Sequence, residues 1–92
     1  MKFFYVYILH NHSKNFIYIG YSENLRQRIQ EHNEGKVKST KFYKPLSLIF
    51  YEAYLSKKDA KRREKYLKTN KGRKTLITML ADYFNSSSEI SG

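Results

Sequence analysis

Arg28 and His32 stand four residues apart on a stretch whose apolar stripe is marked by Leu25 and Ile29. At about 100° per residue, that spacing stacks the guanidinium and the imidazole one helical turn apart, beside the stripe rather than opposite it. Arg26, Gln27, Gln30 and Glu31 take the solvent side. Glu64 is placed in a comparable way. It lies next to an inner stripe marked by Ala60 and Leu67, and it is one of two acids among ten bases between Lys57 and Lys74, a local net charge of +8. A lone inward carboxylate facing an arginine and a histidine is what a hard cation and a phosphate require. Tyr5 and Tyr7 share one face of an extended segment, and Tyr18 lies across a hairpin from them. Each residue also has a plainer role open to it. Arg28 can snorkel, His32 can be a satisfied boundary residue, Glu64 can be a surface ion-pair partner, and most of the nine tyrosines pack a sheet. None of these roles explains why Arg28, His32 and Glu64 all lean inward.

The elements that must hold these groups follow from apolar pattern and turn chemistry. Phe3 to Leu9 is aromatic and β-branched without interruption, as expected of a strand buried on both faces at the centre of a sheet. A polar link from His10 to Asn15 leads to a second short strand, Phe16 to Ile19, ended by Gly20. Ser22 is placed to cap a helix running to about Asn33, with Glu23 in its first turn and Gly35 as terminator. Residues 34–45 form a lysine-rich loop, and Leu46 to Tyr54 a third strand. Ser56 and Asp59 have capping-box spacing at the head of a basic helix that reaches about Thr69, where Asn70-Lys71-Gly72 breaks it. A last helix near Arg73 to Phe84 carries Leu76, Ile77, Leu80 and Tyr83/Phe84 on one stripe. The order is ββαβαα, an α/β fold in which helices flank a small, mainly antiparallel three-stranded sheet.

Composition narrows the partners. The 92 residues allow one modest core, so residues 1–84 are read as one domain and the Ser-rich stretch 85–92 as a frayed tail. Eighteen Lys and Arg against eight Asp and Glu give a net charge of +10, which favours a polyanion, because neutralising phosphates releases condensed counterions. There is no cysteine, which excludes disulfides, thiolate metal sites and a cysteine nucleophile. The longest apolar run is too short to span a bilayer and lacks the flanks of a secretion signal, so no membrane partner is expected and the cytoplasm is the expected compartment. His10 and His12 are expected to be exposed in a turn rather than metal-binding.

Tyr5-Val6-Tyr7, then Tyr18-Ile19-Gly20, then Arg28 and His32, then Glu64 in Arg-Glu-Lys-Tyr-Leu-Lys, together resemble the GIY-YIG nuclease module over roughly residues 3–80. The chain is similar to the small standalone members of that family, and through them to the nuclease module of the bacterial excision-repair endonuclease subunit. It departs from the pattern at Tyr5, which stands where the first glycine of the family's name would be. The resemblance implies a metal-dependent DNA endonuclease, with a place in DNA repair. Glu64 would be the sole protein carboxylate on one Mg²⁺ (or Mn²⁺) ion. Arg28 would hold the scissile phosphate, with His32 beside it as phosphate contact or proton relay. Tyr7 and Tyr18 would bracket the attacking water, and the products would be a 5′-phosphate and a 3′-hydroxyl.

The residues agree with one metal rather than two, because Asp59 and Glu64 fall on different helix faces and no second acid is convenient. Tyr7 is the expected base and Tyr18 the orienting group. A phenol of ordinary pKa about 10 is a poor base, so Arg28, the ion and nearby lysines are expected to lower it. Lys36, Lys38, Lys41 and Lys44 of the loop, with Lys57, Lys58, Lys61, Arg62, Lys65 and Lys68 of the basic helix, would carry backbone contacts that give affinity without sequence readout. The expected partner is structured or branched DNA, with a second copy or another protein supplying specificity. The rival readings are a basic module that binds DNA or RNA without cutting, and an accessory protein whose fold supports a protein interface.

Overall fold

The computed structural model describes the backbone of residues 1–91 and the side chains of residues 1–86. Strand β1 (Phe4–Asn11) lies at the centre of a three-stranded sheet of order β2-β1-β3. Both neighbours, β2 (Phe16–Ser22) and β3 (Ser47–Tyr54), run antiparallel to it. The unbroken apolarity of β1 has the expected cause, for both of its faces are covered. Val6 and Ile8 point into a core with Ile19, Ala60, Leu67 and Leu76. Tyr7 and Leu9 point the other way, into a second core with Leu46, against which Leu25 and Ile29 pack. Burying each such aliphatic side chain contributes at most about 1.5–3 kcal/mol. Register shifts between Ile8 and Leu9, leaving Ile49 of β3 unpaired.

The helices follow the expected order ββαβαα, with the last one divided at Leu80 into α3 (Asn70–Met79) and α4 (Ala81–Ser91). The expectation of a tail over residues 85–92 falls mostly on side chains outside the described ones. Helix α1 (Leu25–Asn33) is capped by Asn24, not Ser22, and Glu23 falls outside it. The Ser22 hydroxyl instead accepts from the Asn24 amide at 2.9 Å. At the other end Gly35, with φ of +76°, lets Gly35 N–H reach the His32 carbonyl and Lys36 N–H the Glu31 carbonyl, which is a Schellman closure. Helix α2 (Lys57–Leu67) starts at the expected cap, Ser56 accepting from the Asp59 amide.

Four local readings are corrected by the packing of the elements. Gly20 does not end β2. It lies inside the strand opposite Tyr7. Gly72 does not break a helix. Thr69 caps α3, and Gly72 sits within it because a Cβ there would strike the Tyr66 carbonyl at the end of α2. Ile77 leaves the inner stripe and is 40% exposed, while Leu76 is fully buried. His10 is not in an exposed turn. It extends β1, is buried, and bonds through Nδ1 to the Tyr83 hydroxyl of α4 at 2.7 Å.

Candidate active site

Tyr7 fills the space that Gly20 leaves. A Cβ on Gly20 would overlap the end of the Tyr7 ring, with the hydroxyl oxygen at 2.5 Å. The strand glycine therefore has a steric reason, which is close approach by a neighbouring side chain. The Tyr7 hydroxyl meets His32 Nε2 at 2.8 Å, and His32 Nδ1 meets the Thr40 hydroxyl at 2.7 Å. Tyr7, His32 and Thr40 are each 0% exposed. A buried imidazole with both nitrogens partnered is fixed in position, as a string of satisfied polar groups requires. The Tyr18 ring packs edge-on to His32 with centroids 4.9 Å apart, and 6.2 Å from the Tyr7 ring. Tyr7, Tyr18 and His32, expected together from the sequence, are brought together.

Arg28 lies one turn before His32 on α1, half-buried, and bonds to Glu31 at 3.1 Å. Glu64 stands on α2, its side chain only 14% exposed, held by Lys61 at 3.5 Å and Lys68 at 2.9 Å. Arg28 and Glu64 both act on the Tyr7 phenol in opposite senses. Burial first, and then the neighbouring Tyr18, push its pKa up to about 12, with Glu64 adding to the rise and Arg28 opposing it. The sequence-based expectation of a lowered phenol pKa is thus reversed in the protein alone, because desolvation of the phenolate outweighs one guanidinium. Burial, and then the Arg28 charge, push His32 down to about 4, so it is a neutral imidazole at pH 7.

Tyr5 does not join this group. It lines a cleft of about 480 Å³ between α1 and the sheet, with Asn24, Arg26, Leu48 and Tyr51. Thr40 and Glu31 are the two contributors that sequence reasoning missed. Glu31 carried a signal in its i, i+3 spacing from Arg28, but Thr40 comes from a loop and carried none. Among the described residues, no three of His, Asp and Glu gather as a ready metal cluster.

The cations expected to grip a polyanion divide into two sorts. On α2, Lys57 pairs with Glu23, Lys61 and Lys68 with Glu64, and Arg62 with Asp59. Lys58 and Lys65 are exposed and without an ion pair among the described residues. In the loop, Lys36 pairs with Glu34, while Lys38, Lys41 and Lys44 are exposed and unpaired among those residues. Among them too, no helix is long and apolar enough to cross a membrane.

The family model described as the GIY-YIG catalytic domain matches residues 3–76. A UPF0213 protein of Staphylococcus haemolyticus is 44% identical over 66 residues, 71% of this chain and 79% of that protein. UPF0213 proteins of Streptococcus pyogenes serotypes M5 and M2 are each 35% identical over 80 residues, 86% of either chain. No solved structure matches the chain. With the match running from β1 into α3 and spanning the strands and helices that hold Tyr7, Arg28, His32 and Glu64, the chain belongs to the GIY-YIG family of nuclease domains.

Proposed function

We propose that this chain is a divalent-metal-dependent endonuclease that hydrolyses DNA phosphodiester bonds with Tyr7 as the group that deprotonates water. The observation that carries the reading is the buried string Tyr7–His32–Thr40, which runs from the central strand through the last turn of α1 to the loop that follows it. A core that needed only packing would be served by phenylalanine and leucine. Three polar groups fixed at 0% exposure serve to hold a proton acceptor in place.

The order of donors follows from Thr40. Its hydroxyl also faces the Val37 carbonyl at 3.5 Å. Donating there, Thr40 accepts from His32 Nδ1–H, and Nε2 then accepts the Tyr7 O–H. In its ionised form the Tyr7 oxygen takes a proton from the attacking water, and the neutral phenol that results donates again to Nε2. The water oxygen bonds to phosphorus, the bond to the 3′ oxygen breaks and that oxygen takes a proton from solvent, leaving a 5′-phosphate and a 3′-hydroxyl. Arg28 holds a non-bridging phosphate oxygen, and Tyr18, stacked on the edge of His32, orients the water. A phenol near 12 is ionised in only a small fraction of molecules at neutral pH, and that fraction grows as the pH rises. Glu64 is one of the charges that raise the pKa, and neutralising that carboxylate moves the phenol back toward its ordinary value.

Glu64 suits a single Mg²⁺ or Mn²⁺. It supplies one hard oxygen in a partly enclosed place, and such ions take the rest of their ligands from water and phosphate. When bound, the ion stabilises charge on the phosphate and leaving oxygen. Structured or branched DNA is the substrate class proposed, with a role in repair, action in the cytoplasm, and any specificity beyond this domain supplied by a second copy or another protein.

The test is nicking of supercoiled and branched DNA with Mg²⁺, with Mn²⁺ and with chelator, for the native chain and Glu64→Gln. Cutting should need the ion. The variant should lose about 10³-fold in rate, since a metal supplies several kcal/mol of transition-state stabilisation. Its DNA affinity should hold or rise slightly. Full nicking by Glu64→Gln removes Glu64 from the site, and binding without any cutting under every ion favours the non-catalytic binding module.

A further inference from the structure

Phe42 is 73% exposed, an unusual setting for a phenylalanine in a loop that is otherwise anchored from several sides. It occupies the third position of a turn closed by Tyr43 N–H donating to the Thr40 carbonyl at 2.9 Å. The residue after it is pinned. The Tyr43 ring stacks on Phe16 at 3.9 Å with planes 8° apart, and the Tyr43 carbonyl accepts from Asn11 at 2.6 Å. Lys14 donates to the Phe42 carbonyl at 2.5 Å. The backbone is thus held while the ring is left in solvent.

The surroundings of the ring indicate its occupant. Lys41 lies over it at 4.9 Å, and Lys38, Lys44 and Lys14 are exposed nearby in sequence or across the loop. No acid occurs from Gly35 to Tyr51. Such a cationic rim opposes a second copy of this chain, which would bring like charge to like charge, and favours a polyanion that carries flat apolar faces. A nucleic acid fits both requirements. A base buried in duplex stacking offers no free face, whereas an unpaired or flipped base does.

We propose that Phe42 stacks on an unpaired nucleobase within several nucleotides of the scissile phosphate and so selects DNA with flaps, bulges or junctions. The inference rests on the endonuclease reading for the position of that phosphate. Thr40, which holds His32, is two residues away, a reach of at most about 7 Å. The hydrogen bonds of 2.7 and 2.8 Å from Thr40 across the imidazole to the Tyr7 hydroxyl add to that reach, so with stacked nucleotides spaced about 3.4 Å along one strand the ring falls within several nucleotides of the cut.

The probe is an oligonucleotide carrying 2-aminopurine at an unpaired position one or two nucleotides from a duplex edge, read by fluorescence in chelator, where binding is separated from cutting. The native chain should quench the probe. Phe42→Ala should abolish quenching and weaken binding to the flap or bulge by about tenfold or more, the worth of one base stacked on an aromatic ring. Its affinity for fully paired duplex should stay within about twofold, and Phe42→Trp should restore quenching. Equal loss on duplex and flap, or no loss on either, overturns the proposal, as does Phe42-dependent binding to anionic lipid vesicles without quenching of the oligonucleotide. If the chain never cuts but Phe42→Ala loses the flap preference, the nuclease reading fails and the stacking role stands. If cutting depends on Glu64 while the preference ignores Phe42, only the stacking role falls.

Discussion

The interior of the site and the basic surface around it treat their polar groups differently. Tyr7, His32 and Thr40 are wholly buried, and each has a partner at 2.7 to 2.8 Å. On α2 and the loop of residues 34–45 the charged groups are mostly exposed, and those that pair do so at 2.9 to 3.5 Å. A buried polar group left without its partner costs about 1–3 kcal/mol, whereas an exposed ion pair contributes about 0–1 kcal/mol. Loss at one interior position should therefore be abrupt and specific to chemistry. Losses on the surface should be gradual, additive and sensitive to salt.

The sharpest break in that contrast is Tyr7→Phe. It deletes one oxygen and keeps the ring against Gly20. If the phenol handles the attacking water, single-turnover cutting should fall about 10²–10⁴-fold, the usual worth of acid–base help, with DNA affinity unchanged. The rate of the native chain should climb through mildly alkaline pH, since Tyr7 is pushed up to about 12. A plateau near neutrality, or a Tyr7→Phe variant at native speed, would shift the base to His32.

His32 gives the next largest effect, on stability. Its pKa is pushed from an ordinary 6.5 to about 4 in the folded chain, chiefly by burial. The folded state then binds fewer protons than the unfolded state, so this contribution is fully present above pH 6.5 and is lost as pH falls through 4. The loss approaches about 3 kcal/mol, a depression of two to three pKa units at about 1.4 kcal/mol each. Thermal melts from pH 7 to 4 should show it as a falling Tm, and the slope should flatten in His32→Gln. A smaller step separates steric from chemical roles. Gly20→Ala forces the Tyr7 ring aside, which should cost about 1–3 kcal/mol of stability and about 10²-fold in rate. A variant with native rate and stability would show that the Tyr7 ring moves freely.

What the sequence made legible divides along the same line. The central place of β1, the Ser56 cap and the inward lean of His32 could be read because each depends on residues a few positions apart. Gly20, Gly72 and His10 were misread because their reasons lie in other elements: Gly72 at the end of the preceding helix, Gly20 across the hairpin, His10 against Tyr83, 73 residues away. The Thr40 hydroxyl was invisible because it is a loop side chain whose partner sits on a helix, with no regular spacing between them. The direction of the Tyr7 shift was missed because sequence lists nearby charges but not the depth of burial that outweighs them.

The gentlest effect belongs to the surface, and it tests additivity. Lys38 and Lys41 in the loop and Lys58 and Lys65 on α2 are exposed and free of ion pairs among the described residues, so each can meet a phosphate without first giving up a carboxylate. Lys61 and Lys68 must leave Glu64 to do so, and Arg62 must leave Asp59. On duplex DNA each neutralised phosphate contributes about −0.9 to the slope of log affinity against log salt. Replacing Lys38 and Lys41 by Gln should make the slope shallower by close to two such steps, and Lys58 with Lys65 by about the same. Replacing Lys61 and Lys68 should change it less, because their charge is partly spent on Glu64. Cutting measured at saturating DNA should stay near native in the loop and Lys58/Lys65 variants, since these lysines grip and do not react. An unchanged slope in those variants would mean that phosphates track another surface. A loss of saturated rate as large as that of Tyr7→Phe would mean that gripping and cutting are not separable in this domain.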